Sequence, residues 1–450
     1  MRGFLASSIG VTCAAALALP LTLPAAAAPA PAPAPASAPA VQPASGARSA
    51  STTAVPDLPG STQSLPLTPR TRDRTLGAAP EQGLTRADVH RFSLVGVTWT
   101  DPDTELRGQV QVRTRATGTG EWSGWQDIDT HNEDHGADPG TAERDSGHVH
   151  GSTAPLWVGD SDGVDVRVRA NTAATRTVGN IDEQPSSLPT GLHLELVDPG
   201  AAEAAPTAGA RPATTNRTAT PRLAATEIPA LSKQATERDM VALGAKAQPY
   251  IGPRPRIVTR HGWGADEKLR EKGFVYTKKV KAAFVHHTAT GNNYRCSQAA
   301  SVIRGIYRYH VKSSGWRDIG YNFLVDKCGT IYEGRAGGVA KAVMGAHTLG
   351  FNTNSMGIAV LGTFGSAKPS SAAVTAIAKL TAWKLGLYGV NPRGKTYLKS
   401  GGGNLYRKGK NVRLNVISGH RDGFATECPG RQLYGKLGSA RSTSARYQGR

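Results

Sequence analysis

Acidic residues are scarce in the second half of this 450-residue chain. From Ile251 onward 33 Lys and Arg stand against 8 Asp and Glu, whereas residues 1–250 hold 20 against 26. A basic half joined to a mildly acidic one points the basic half at an anionic target. Nucleic acid, anionic lipid and anionic wall polymer all fit on charge alone. Nucleic acid is disfavoured, because the most basic stretch, Lys395 to Arg413 around Gly401-Gly402-Gly403, lacks the stacking platform and fold signature such recognition needs. It reads as an exposed basic loop. Long apolar runs are also few. The run from Phe4 to Leu23 follows Arg2, is interrupted by Pro20, and ends at Pro24 and the small residues Ala25 to Ala28. No basic stop-transfer cluster follows. This is the pattern of a cleaved secretory signal peptide, residues 1–28, rather than a stable membrane anchor. The expected location is secreted, extracellular or wall-associated. Cysteine is rare as well: four in all, of which Cys13 leaves with the leader. Cys296, Cys328 and Cys428 remain. Outside the cell a pair tends to oxidise, so one thiol needs another partner, and a metal is one candidate.

Residues 29–85 are low in complexity. Pro29 to Ala40 alternate Ala and Pro almost strictly, a composition that gives an extended spacer with no core. A second linker, rich in Ala, Thr and Pro, is expected over 201–250. Between them, residues 86–200 alternate with period two: Phe92, Leu94, Val97 and Trp99; Val110 and Val112; Leu156-Trp157-Val158; Val164, Val166 and Val168; Leu192, Leu194 and Leu196. Turn residues separate these runs, so an all-β, sandwich-like domain is predicted. Residues 256–440 change character. Lys281 to His287 reads as a buried strand, and Ser297 to about Val311 carries a helical apolar stripe. Short strands are predicted at Tyr321–Val325, Thr330–Glu333, Ser355–Leu361 and Leu414–Ser418. A helix is predicted at Ser371–Leu387 and a short one at Arg431–Leu437. The fold class is α/β: a mixed C-terminal sheet covered by helices, preceded by the smaller β domain.

Two segments could carry chemistry. One is Phe284-Val285-His286-His287-Thr288, the other Gly419-His420-Arg421-Asp422 running on to Cys428-Pro429. Each sets a metal-capable side chain just past a buried strand, where folds place functional groups on short loops. His286, His420 and Cys428 would make two imidazoles and a thiolate, and catalytic zinc typically takes three protein ligands plus water. A core histidine and a buried thiol explain the same residues.

Six blocks occur in order over about 180 residues: His286-His287-Thr288, Gly320-Tyr321-Asn322-Phe323-Leu324-Val325, Gly329 to Arg335, Gly345-Ala346-His347, Asn352 to Gly357, and Gly419-His420 to Cys428-Pro429. Together they resemble the peptidoglycan recognition protein family, which includes the phage-lysozyme type of N-acetylmuramoyl-L-alanine amidase. Trp263-Gly264-Ala265 resembles its entry segment. The resemblance implies zinc at His286, His420 and Cys428, with His287 not a ligand. It also implies a catalytic tyrosine at Tyr321, a site threonine at Thr426, and substrate contacts at His287, Arg335, His347 and Asn352. Noncatalytic members typically lose the cysteine, so Cys428 favours an enzyme that cuts the lactyl amide of peptidoglycan. A peptidoglycan-binding protein with little catalysis is the alternative. The implied partners are peptidoglycan or muropeptides, with anionic wall polymers suited to the basic half. Gly350-Phe351, near the family's usual discriminating pair, mixes the diaminopimelate and lysine patterns.

Cys296 and Cys328 lie 32 residues apart and flank the first helix and the hairpin; a disulfide there would contribute roughly 3–4 kcal/mol in the loop-entropy model, with metal ligation as the other reading. His131, His135, His148 and His150 cluster with Asp134 and Asp138 in a Gly-rich stretch. A metal site or a solvated loop would both suit them, and the loop is the commoner outcome. Trp122, Trp125 and Trp157 could stack on sugars, but more often such residues are sandwich core.

Overall fold

The computed structural model describes residues 60–70, 79–132, 134–177, 180–185, 187–200, 225–242 and 249–450. The expected leader and most of the Ala/Pro spacer lie outside the described residues. Among the described residues no helix is long and apolar enough to cross a membrane.

The N-terminal domain is all β. Phe92–Trp99 pairs on one side with His193–Val197, which pairs in turn with Thr62–Pro66. On the other side it pairs with the start of the 15-residue strand Leu156–Ala170. The later part of that long strand pairs with Gly108–Ala116 and Glu81–Arg86. Valines 95, 97, 110, 112, 164, 166 and 168 therefore meet in one core with Leu194 and Leu196, which the period-two pattern anticipates. The β structure begins before residue 86: Thr62–Pro66 and Glu81–Arg86 are strands. These strands are short and half exposed, so they carry little apolar signal.

The C-terminal domain is a seven-stranded mixed sheet in the order Glu227–Ile228, Ile257–Val258, Ile331–Glu333, Phe323–Val325, Ser355–Val360, Ala282–His287, Ile417–Gly419. The central strands are parallel and buried on both faces. Alternation assigns the two faces. Ala283, Val285, Phe323, Val325, Ile358 and Val360 pack with Ile377 and Leu380 of the helix Ser371–Gly386. Leu324 and Ala359 face Val302, Ile303 and Ile306 of the helix Ala299–Arg308. Cys296 and Cys328 form the disulfide.

Three local expectations change. Lys395–Arg413 is not a loop: Lys395–Lys399 and Asn411–Asn415 form a hairpin whose Leu398, Val412 and Leu414 pack on Phe284 and Phe351. Alternation leaves Lys395, Lys399 and Arg413 exposed on its other face. The strand predicted at Leu414–Ser418 splits, its first part closing that hairpin and Ile417–Gly419 joining the main sheet. The segment expected as a linker over 201–250 contains the edge strand Glu227–Ile228 and the helix Lys233–Ala242.

The two domains share a core. Leu94, Trp157 and Val197 of the β domain pack with Trp263, Tyr294, Ile303 and Tyr307. Gly96 stands where the Tyr309 ring presses closest, leaving no room for a side chain, and Gly305 lies tightly under Leu94. Gly315, at φ +72°, meets the backbone of His148. Tyr309 Oη donates to Thr153 O at 3.1 Å, Ser313 Oγ to Glu195 Oε2 at 2.9 Å, and Trp157 N to Thr290 O at 3.1 Å.

Candidate metal centre

Strand register builds the site. Val285 pairs with Gly419 across two parallel strands, so the next residues, His286 and His420, emerge side by side at their carboxyl ends. Open α/β sheets place ligands at that edge. His286 shares a face with Phe284, whereas His287 turns to the opposite face, where its Nδ1 accepts from Phe364 N at 3.3 Å. His286 Nδ1 and His420 Nδ1 are 3.1 Å apart, and Cys428 Sγ lies 3.8 Å from His286 Nδ1. Two nitrogens bound to one tetrahedral zinc would stand about 3.3 Å apart, and a nitrogen and a sulfur about 3.6 Å. The spacing and the donor types fit that ion.

Electrostatics agree with ligation. Burial, then the neighbouring imidazoles, holds His286 well below its usual pKa, and burial pushes His420 down to about 3 against the pull of Asp134. Both rings are then neutral, the form that binds metal. Burial raises the Cys428 thiol; a bound cation would reverse this by drawing off the proton.

Tyr321 is buried beside these groups, its ring 5.5 Å from that of His286. Burial, with Cys428 and Asp134 nearby, raises its pKa and keeps the phenol protonated. Thr426 Oγ1 accepts from Cys428 N at 3.1 Å. Thr348, not singled out from sequence, bridges the rings of His347 and His286 at 3.0 and 3.4 Å.

The residues expected to touch substrate are all buried. His347 lies against His286, ring centroids 5.2 Å apart, while its backbone N–H donates to Asn352 Oδ1 at 2.7 Å. Arg335 and Asn352 are engaged by the β domain. Glu143 takes both ends of the Arg335 guanidinium at 2.8 Å, and Asp138 Oδ1 accepts from Asn352 Nδ2 at 2.6 Å and Gly350 N at 2.8 Å.

The histidine-rich stretch is not a solvated loop throughout. His131, His148 and His150 are exposed, but Asp134, His135 and Asp138 are buried. His135 joins His286, His420 and Cys428 as a fourth donor, the four ligand atoms lying within 4.8 Å of one another. Its Nδ1 is 2.7 Å from Asp134 Oδ1, and its buried Nε2 has no hydrogen-bond partner. The sequence shows the His and Asp cluster; it cannot show that a loop from another domain delivers it. The tryptophans divide too. Trp157 is buried between the domains, whereas Trp122 is 40% exposed and Arg113 lies over both Trp122 and Trp125.

A profile of the N-acetylmuramoyl-L-alanine amidase family matches residues 276–431, and one described as Rv3811 N-terminal galactose-binding domain-like matches residues 47–190. Peptidoglycan-recognition protein SC2 of Drosophila simulans is 31% identical over 183 residues, which span 40% of this chain and 84% of that protein. Peptidoglycan-recognition protein SC1a of Drosophila melanogaster is 33% identical over 192 residues, 42% and 87% of the respective chains. Among solved structures, wild-type Drosophila PGRP-LB aligns at 26% identity over 41% of this chain and 92% of its own, with a TM-score of 0.32. The chain belongs to the peptidoglycan-recognition protein and N-acetylmuramoyl-L-alanine amidase family.

Proposed function

We propose that the chain is a zinc-dependent amidase that hydrolyses the bond between the lactyl group of muramic acid and the stem peptide of peptidoglycan. The observation that carries this reading is the meeting of His286, His420 and Cys428, with Tyr321 beside them, at the carboxyl edge of a parallel sheet. The relatives, named for peptidoglycan recognition, support the substrate class. A bound zinc supplies Lewis acidity and a water acidified to a pKa near 7. The chain's own residues do the rest. His286 and His420 stay neutral and Cys428 gives up its proton to hold the ion. The Tyr321 hydroxyl, kept protonated by burial, donates to the carbonyl oxygen as negative charge gathers there. Thr426 fixes the Cys428 backbone.

A second reading, peptidoglycan binding with little catalysis, draws support from the burial of all four donors. Digestion of defined peptidoglycan by the wild type and by His135→Ala, which removes the fourth donor, separates the two. New L-alanine amino termini with uncut glycan are expected. Reducing sugar ends would make the chain a glycosidase, and intact wall with saturable binding would favour the second reading.

A further inference from the structure

The described residues 129–132 and 134–150 leave the β domain after the strand Gln126–Ile128, and the chain returns to it at Gly151–Ser152. Between those points they cross onto the other domain. Leu349 N donates to Asp134 O at 2.9 Å, Asn352 Nδ2 donates to Gly136 O at 2.8 Å, and His150 N donates to Ser314 O at 3.1 Å. The Glu143–Arg335 pair is buried, with 2% and 5% of the side chains exposed. His135 reaches His286, His420 and Cys428, with Asp134 buried beside it.

We propose that this segment is an autoinhibitory latch, in which His135 closes the metal centre as its fourth protein ligand while Asp138 and Glu143 occupy Asn352 and Arg335. The proposal rests on zinc binding as read above and adds where the fourth donor comes from. Four protein donors close a zinc site; a catalytic one keeps a position open for water. Asp134 has the second-sphere role: a carboxylate on His135 Nδ1 fixes the ring so that Nε2 is the free donor. That Nε2 is the atom left buried without a partner. The carboxylates of Asp138 and Glu143 take up the Asn352 amide and the Arg335 guanidinium, so a substrate cannot use them until the segment moves. No residue of the segment belongs to the 276–431 family match, so the latch is an addition to that domain and not part of its own site.

The test uses the full chain loaded with cobalt(II), whose visible spectrum reports coordination, and azide as a small competing ligand. In the wild type, azide is expected to leave the spectrum unchanged. In His135→Ala it should bind saturably, and zinc should be lost to a chelator ~10- to 100-fold more readily, the scale for loss of one supporting group. Trypsin cleavage after Arg144, followed by mass spectrometry, gives a second readout: zinc should slow it at least ~10-fold in the wild type and have no effect in His135→Ala. The double variant Asp138→Asn, Glu143→Gln keeps every donor and should also speed the cut. Azide binding to wild-type cobalt protein, or equal protection of Arg144 in both chains, overturns the latch. A wild type that takes up no metal overturns the amidase reading instead, whereas an opened variant that binds azide yet never cuts peptidoglycan leaves the latch standing and removes catalysis.

Discussion

On the proposed reading Cys428 holds an ion and Tyr321 meets the substrate, and substitution separates the two. A serine at 428 keeps the shape but loses the soft, readily ionised donor that borderline-soft zinc favours. Cys428→Ser should therefore fall well below one zinc per chain by elemental analysis after dialysis. Full occupancy would remove Cys428 from the ligand set. Tyr321→Phe makes the opposite cut. Its ring packs against His286, His135 and His310, and phenylalanine keeps that packing. Zinc content and melting temperature should hold. Turnover should drop about a hundred- to thousand-fold, the usual cost of removing one oxyanion donor, measured on a chain whose latch has been opened. Turnover at the parent rate would leave Tyr321 a packing residue. At this scale the sequence was highly legible for the residues contributed by strands. His286 and His287 are adjacent, and strand alternation alone requires that they face opposite ways. It was least legible for His135, whose neighbours in the chain read as a polar loop.

The helix Ser371–Gly386 shows what a single element carries. Its inward face includes Lys384, fully buried and hydrogen-bonded through Nζ to the carbonyls of Val339 and Lys341. Burial pushes its pKa down to about 7 from 10.5, with Glu333 opposing. A lysine with a lowered folded pKa is destabilising while charged. Its contribution is complete above 10.5, the unfolded value, and is lost as pH falls through about 7. Stability from this group should thus rise with pH across that window, by up to roughly 5 kcal/mol. Urea unfolding of the wild type and of Lys384→Met would show it: the difference between them should shrink or reverse as pH rises. A pH-independent difference would mean that Lys384 keeps its unfolded pKa, charged and hydrated, in the folded chain. Elements with a strong period were legible in advance: Ala282–His287, Ser355–Val360 and Ser371–Gly386 fall within a residue of expectation. The hairpin Lys395–Asn415 was not, because only Leu398, Val412 and Leu414 face inward and the charged positions between them read as a loop. The helix Leu437–Gln448, whose buried positions are mostly small or polar, also lacks the apolar stripe that would announce it.

For the whole molecule, the donors come from two domains. His286, His420 and Cys428 belong to the mixed sheet's edge, while His135 arrives from the β domain. A ligand that binds only the folded state stabilises whatever must be folded to present its donors. If His135 ligates the ion as proposed, zinc should stabilise both domains, not just the one carrying the other three donors. The gain is about 2.7 kcal/mol when free zinc is a hundredfold above its dissociation constant. Hydrogen exchange resolves the domains separately. Chelation is expected to lower protection in Phe92–Trp99, the strand packed on the helix Ala299–Arg308, as well as in Ala282–His287. In His135→Ala, chelation should still deprotect Ala282–His287 but leave Phe92–Trp99 unchanged. The shared apolar core around Trp157, Trp263 and Tyr307 is present in both chains, so general cooperativity between the domains cancels in that comparison. If Phe92–Trp99 responds equally to chelation in both, the coupling runs through the core and not through the metal. If it responds in neither, the β domain folds without regard to the centre that its own histidine enters.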